Sequence, residues 1–307
     1  MKRAVSAVVL FVACVSPLRA TEILLKNTWI EDHKNRVTTE ITFRVEQAHK
    51  KPNSIGEKSD DGDMHLAGRS PQVGLPLVVE IVNAALKDHQ PVLASVKEAV
   101  GKQANVEMSG VWRVWFEHPG KKAQTQFEPV GPPPHTNPDH VFEIHPVTRW
   151  VDDPLDESFV PIKGFTAHNA GIAFGRYEKM VVTVTKGASF TSFDAKMIGF
   201  NYTEFIMILA GNPKAVDDGF MVLAQVADLD GNVIVTSPRR MVFAGDTPVA
   251  ELIAKAKKGA RFQALGIPRL NLERLMLKAE AAAGEPVDVV GAYEMIIVGM
   301  SESTAGG

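Results

Sequence analysis

The chain repeats itself, and one copy of the repeat has lost its polar residues. Residues 60–67 read Asp60-Asp61-Gly62-Asp63-Met64-His65-Leu66-Ala67, and residues 217–224 read Asp217-Asp218-Gly219-Phe220-Met221-Val222-Leu223-Ala224. The copies differ only where Phe220 replaces Asp63 and Val222 replaces His65. A strand built twice acts as its own control. Side chains shared by both copies belong to the scaffold, and polar side chains kept by one copy point to a site there.

Further matches follow in the same order. Thr39-Glu40-Ile41 corresponds to Thr203-Glu204-Phe205, and each opens an alternating apolar run. Val106-x-Met108-x-Gly110-Val111-x-Arg113 corresponds to Phe262-x-Ala264-x-Gly266-Ile267-x-Arg269. Phe142-Glu143-Ile144-His145 corresponds to Tyr293-Glu294-Met295-Ile296, so a second histidine meets an apolar residue. A repeat of ~110 residues is a duplicated domain, too long for a solenoid unit.

Strand signals cover 38–45, which alternates, 64–67, the nearly continuous apolar run 77–82, 105–116 and 140–147, with a helix from Gln90 to near Gly101 before the fourth. The second copy repeats the order over 202–210, 219–228, 232–243, a helix near 248–257, and 260–266. It then inserts a helix over 270–283 before a last strand at 287–298. Five strands with a helix before the fourth is the order of an oligonucleotide/oligosaccharide-binding (OB) barrel. The expectation is a mainly β protein of two tandem OB-like β-barrels. The first domain spans 21–150, a linker 151–178, the second domain 179–300, and a flexible tail 301–307. Extra strands are expected at 180–186 and 189–192.

Residues 1–20 read as a signal peptide. Lys2 and Arg3 precede the apolar run Ala4–Val15, which is too short to span a bilayer, and Ala20 offers a small residue for cleavage. A lipoprotein anchored through Cys14 is the minor alternative. The expected location is periplasmic or secreted. Cys14 is the only cysteine, so cleavage after Ala20 leaves no thiol for nucleophilic chemistry, disulfides or cysteine–zinc binding. Losing Lys2, Arg3 and Arg19 moves the net charge from −3 to about −6, which argues against nucleic acid as a partner. No later segment is apolar enough to cross a membrane, and the sequence names no protein partner.

All nine histidines lie between His33 and His168, and all four tryptophans between Trp29 and Trp150. Residues two apart in a strand share a face, which pairs Asp63 with His65 and Glu143 with His145. Glu80 adds a carboxylate inside an apolar strand. Asp63, His65, Glu143 and His145 are the candidate ligands of a divalent, zinc-like ion. The same groups suit proton transfer, or a structural network inside a barrel. Glu143 keeps its counterpart in Glu294, so it can be scaffold even where His145 is not. Glu80, Trp115 and His118 are candidates for contacting a small polar ligand. Trp115 can stack a ring or anchor one domain to the other. The loop Glu117–Asp139, which carries His118 and His135, is a candidate lid. A shared site requires His65 and His145 to approach within ~8 Å. Arg239, Arg240 and Arg269 fit ion pairing better than anion binding. No nucleophile elbow, phosphate loop, dinucleotide fingerprint or His-Glu-x-x-His motif is present.

Residues 36–148 resemble a set of uncharacterised bacterial exported proteins. Their pattern appears here as Asp61-Gly62-Asp63-Met64-His65-Leu66, Glu80, Val106 to Val111, and Asn137 followed by Glu143-Ile144-His145-Pro146-Val147. Those proteins often read Phe-Phe-Asp where this chain has Trp115-Phe116-Glu117, and often carry a cysteine pair missing here. The resemblance implies no activity. It implies that Asp63, His65, Glu143 and His145 belong together. The function expected from sequence is an exported binding module for a metal or small polar ligand. The alternatives are a metal-dependent hydrolase and an envelope scaffold protein with a structural His/Asp network.

Overall fold

The computed structural model describes residues 21–57 and 60–303. The expected signal peptide, Cys14 and the last four residues of the expected tail lie outside them. The described part of that tail, as far as Glu302, continues a strand.

The first barrel is made of β1 (Thr38–Ala48), β2 (Met64–Arg69), β3 (Leu77–Ile81), β4 (Asn105–His118) and β5 (His140–Trp150). Helix α1 (Gln90–Lys102) precedes β4. Strand β1 pairs with β2 and β4, β3 with β2, and β5 with β4, all antiparallel, while β3 and β5 close the barrel in parallel. The closed order 1-2-3-5-4 arises from the sequence pattern. In β1, Ile41, Phe43 and Val45 alternate into the core. In α1, Val92, Leu93, Val96 and Ala99 form one apolar face. Pro91 sits in the first turn, where its missing N–H costs nothing, and Gln103 ends the helix in the left-handed region at φ 49°.

The second barrel repeats this closure. Its strands are β6 (Thr203–Leu209), β7 (Gly219–Ala227), β8 (Val233–Ala244), β9 (Arg261–Leu270) and β10 (Tyr293–Glu302). Helix α2 (Pro248–Ala254) precedes β9, and α3 (Leu272–Ala281) follows it. Again the third and fifth strands, β8 and β10, pair in parallel. Gly110 and Gly266 occupy equivalent places for one reason. A Cβ on Gly110 would stand 2.7 Å from the Pro146 carbonyl, and one on Gly266 would stand 3.1 Å from the Ile296 carbonyl.

Two expected segments are built differently. The expected strand 287–298 is two strands, broken by Gly291 at φ 61°. Val287–Val290 leaves the barrel and pairs with Val181–Lys186. That strand lies beside Phe190–Ala195, which lies beside Thr21–Lys26, so a third sheet joins both halves of the chain. Residues 151–178 carry a helix, Ala170–Tyr177, whose Ala173, Phe174 and Tyr177 are buried. The Asp, Pro and Gly content suggested a linker, but it masked a short apolar helical face.

The barrels meet along β4 and β9. Arg113 Nε donates to the Pro268 carbonyl at 2.9 Å, and Arg269 Nη1 donates to the Trp112 carbonyl at 3.0 Å. Trp112 precedes Arg113 as Pro268 precedes Arg269, so the seam is reciprocal, as across a two-fold axis. Asp218, the copy of Asp61, accepts from the N–H groups of Val37 and Thr38 at 3.0 and 2.8 Å. The Arg269 guanidinium also lies 3.6 Å from the centre of the Trp112 ring. This cover explains why β4 alternates only at its start and is buried on both faces from Gly110 to Phe116.

Candidate metal centre

The Asp61-Gly62-Asp63 turn leads into β2. Gly62 takes φ 75°, and a Cβ there would stand 2.7 Å from Ile55, so glycine is required. Beyond the turn, His65 lies directly across from Glu80 of β3. The copied register places Val222 across from Met241, so Met241 is the counterpart of Glu80. From β5, Glu143 and His145 reach the same interior.

The side chains form an alternating chain of acids and bases. His65 Nε2 lies 2.8 Å from Asp63 Oδ2 and 3.6 Å from Glu80 Oε1. His145 Nδ1 lies 2.9 Å from Glu80 Oε2 and 3.4 Å from Glu143 Oε2. One carboxylate therefore lies between the two imidazoles and links the two strand pairs. Glu143 continues to Arg113 Nη1 and accepts from His140 Nε2 at 3.0 Å. Asn53 Nδ2 donates to Asp63 Oδ1 at 2.7 Å, and His145 Nε2 shares a 2.7 Å hydrogen bond with the Tyr202 hydroxyl. Tyr202 immediately precedes β6, so the second half of the chain seals the site.

The cluster is nearly closed. Only the His65 side chain has noticeable exposure, at 16 %, and the partly buried His49 ring stacks on it at 4.8 Å. His145 Nδ1 is shared between two carboxylates, closer to Glu80 than to Glu143. His65 turns Nε2 toward its carboxylates and leaves Nδ1 buried without a hydrogen-bond partner.

Protonation follows the charge pattern. Burial lowers the affinity of His65 for its proton, but Glu80 and Asp63 outweigh it and raise the imidazole to about 10. His145 is raised to about 10 in the same way by Glu80 and Glu143. Asp61 is pushed up to about 9 by burial first and then by Asp63 and Glu80. Glu80 goes the other way. Burial opposes its charge, but His145 and His65 hold the carboxyl well below the ordinary range.

Two groups of donor atoms lie close enough to hold an ion: Asp63, His65 and Glu80, and Glu80, Glu143 and His145, each with all ligand atoms within 4.8 Å of one another. Glu80 belongs to both. Ligands on one ion at ~2.1 Å stand at most ~4.2 Å apart, so coordination needs only a small inward movement.

The repeat separates scaffold from site. Arg113–Glu143 and Arg269–Glu294 are the same buried pair in the two barrels, and both pairs lie in register across the fourth and fifth strands. Asp63, His65, Glu80 and His145 have apolar counterparts in Phe220, Val222, Met241 and Ile296. Arg113 was visible in the sequence only as a repeat match. His140 and Tyr202 carried no local signal, because their roles arise from chain closure.

Two other candidates fall elsewhere. Trp115 is buried edge-on against Tyr177 at 5.8 Å, so it anchors the helix Ala170–Tyr177 and offers no face to a ligand. His118 is exposed and stacks on His140 at 5.4 Å, reaching the network only through that ring. The loop Glu117–Asp139 is tied down by Gln126 to the Val73 carbonyl at 2.9 Å and by Arg69 to the Val130 carbonyl at 3.1 Å. No helix among the described residues is long and apolar enough to cross a membrane. No family model and no curated protein matches this chain.

Proposed function

We propose that this protein is an exported binding module that holds a divalent, zinc-like cation inside its first barrel. The ligands are drawn from Asp63, His65, Glu80, Glu143 and His145. The observation that carries this reading is the Glu80 carboxylate, which presents one oxygen to each of two imidazoles and joins both donor groups. A mixed nitrogen and oxygen set suits zinc or a related divalent ion. Export rests on the Lys2-Arg3 start, the apolar run and Ala20.

Closure favours a held ion over a catalytic one. A hydrolase needs an open coordination position reached by substrate, whereas Asp63, Glu80, Glu143 and His145 are buried. The same closure favours a second reading, a structural His/Asp network in a scaffold protein. Elemental mass spectrometry of the protein decides between them. About one equivalent of metal in the wild type, lost in a His65→Ala/His145→Ala variant, supports the proposal. No metal in either, with the variant only less stable, supports the structural reading.

A further inference from the structure

A cleft of about 890 Å³ opens between the helix Ala170–Tyr177 and the third sheet, and none of its lining residues belongs to the cation cluster. Its volume falls within the ~300–1,000 Å³ range of small-molecule sites. Ile172, Val181 and Met197 line it and are exposed to solvent. Exposed apolar side chains gathered on one concave surface mark a binding site more often than scattered ones do.

The charges are one-sided. Arg176, Lys179 and Lys196 line the cleft, and none of them has an ion-pair partner among the described residues. Asp194 is the single lining acid, and burial, followed by the nearby Glu22, raises its carboxyl and disfavours its charge. A cationic cleft thus sits on a chain whose net charge is −3. Its inner wall is fixed. Phe200 is held at φ 69°, a conformation that bulky residues rarely adopt, by the Tyr177 hydroxyl donating to its carbonyl. Arg176 lies 5.7 Å over the Phe200 ring.

We propose that this cleft binds a small anionic amphiphile, an aliphatic body ending in a carboxylate or phosphate. The head group is taken by Lys179, Lys196 and Arg176, and the body lies along Ile172, Val181 and Met197. The proposal is independent of the metal centre.

Calorimetric titration with decanoate, decyl phosphate and decanol, each below its aggregation limit, tests it. At least one anion is expected to saturate a single site, with decanol bound about tenfold more weakly or worse. Replacing both lysines, Lys179→Ala/Lys196→Ala, is expected to weaken the anion by about fivefold at low salt and leave decanol unchanged. Gly175→Leu is the control for location. A Cβ at Gly175 meets nothing within 4 Å, so the new side chain enters the cleft, and leucine suits a helix better than glycine. That variant is expected to melt no lower than wild type and to lose binding at least tenfold. No saturable binding of either anion, decanol binding as tightly as the anions, or undiminished binding to Gly175→Leu would each overturn the proposal.

Discussion

The second barrel supplies a design for emptying the first. Copying it at three positions and neutralising the fourth gives Asp63→Asn/His65→Val/Glu80→Met/His145→Ile. Single replacements break an ion network and leave charges buried. His65→Val alone removes the ion partner of Asp63, 2.8 Å away, and leaves Glu80 to His145 only, at a cost of ~3–5 kcal/mol. Removing the whole set removes the desolvation penalty as well as the attraction. The quadruple variant is therefore expected within ~2 kcal/mol of the metal-free wild type, and on the stable side if packing is good. Guanidinium unfolding followed by tryptophan fluorescence is a fitting assay, because all four tryptophans lie between Trp29 and Trp150, in the first half of the chain. A quadruple variant that loses as much as the singles combined would refute the reasoning, since the four residues would then act independently.

Three further outcomes follow from other parts of the molecule. Glu294→Gln leaves Arg269 and Arg240 facing each other in the seam, so it is expected to cost ~3–5 kcal/mol in thermal or chemical unfolding; a loss under ~1 kcal/mol would contradict the seam's role. In metal-stripped protein, Asp61 titrates near 9 against 3.8 unfolded, and His65 and His145 near 10 against 6.5. Each holds its proton more tightly when folded, so their stabilisation is complete below the unfolded values and is lost as pH rises through 9 to 10; a melting temperature flat from pH 7 to 10 would refute this. His89 is held below 6.5 by burial, so its folded form resists protonation and stability falls as pH drops below 6.5, a dependence that His89→Phe is expected to weaken.

Much of this arrangement is legible in the chain because the repeat compares two solutions to one backbone problem. Alternation and short apolar runs located the barrel strands, the last of them merged with a strand of another sheet, and the joint loss of His65 and His145 from the second copy marked the site. Glu80 was visible as a carboxylate inside an apolar strand, although its partnership with both histidines depends on barrel closure. The pairing of β3 with β5, strands far apart in sequence, brings Glu80 and His145 together. Arg113 and Tyr202 were not legible as site partners for the same reason. The role of Tyr202 exists only once the second half of the chain packs against the first. The strand 287–298 looked continuous because Val287 to Val290 and Tyr293 onward are both apolar, and only the φ of Gly291 reveals that they serve different sheets. Trp115 was ambiguous because a partnered core tryptophan and a stacking platform look alike in sequence, and burial against Tyr177 decides between them.

The proposed cation sits on the Glu80 carboxylate between His65 and His145. Anomalous X-ray diffraction at the zinc edge, on crystals grown with zinc and back-soaked free of excess ion, tests it most directly. An anomalous peak is expected ~2.0–2.2 Å from a Glu80 oxygen and from a nitrogen of His65 or His145. An empty cluster with its acid–base pairs intact, or a peak only at surface histidines such as His118 or His135, would contradict it.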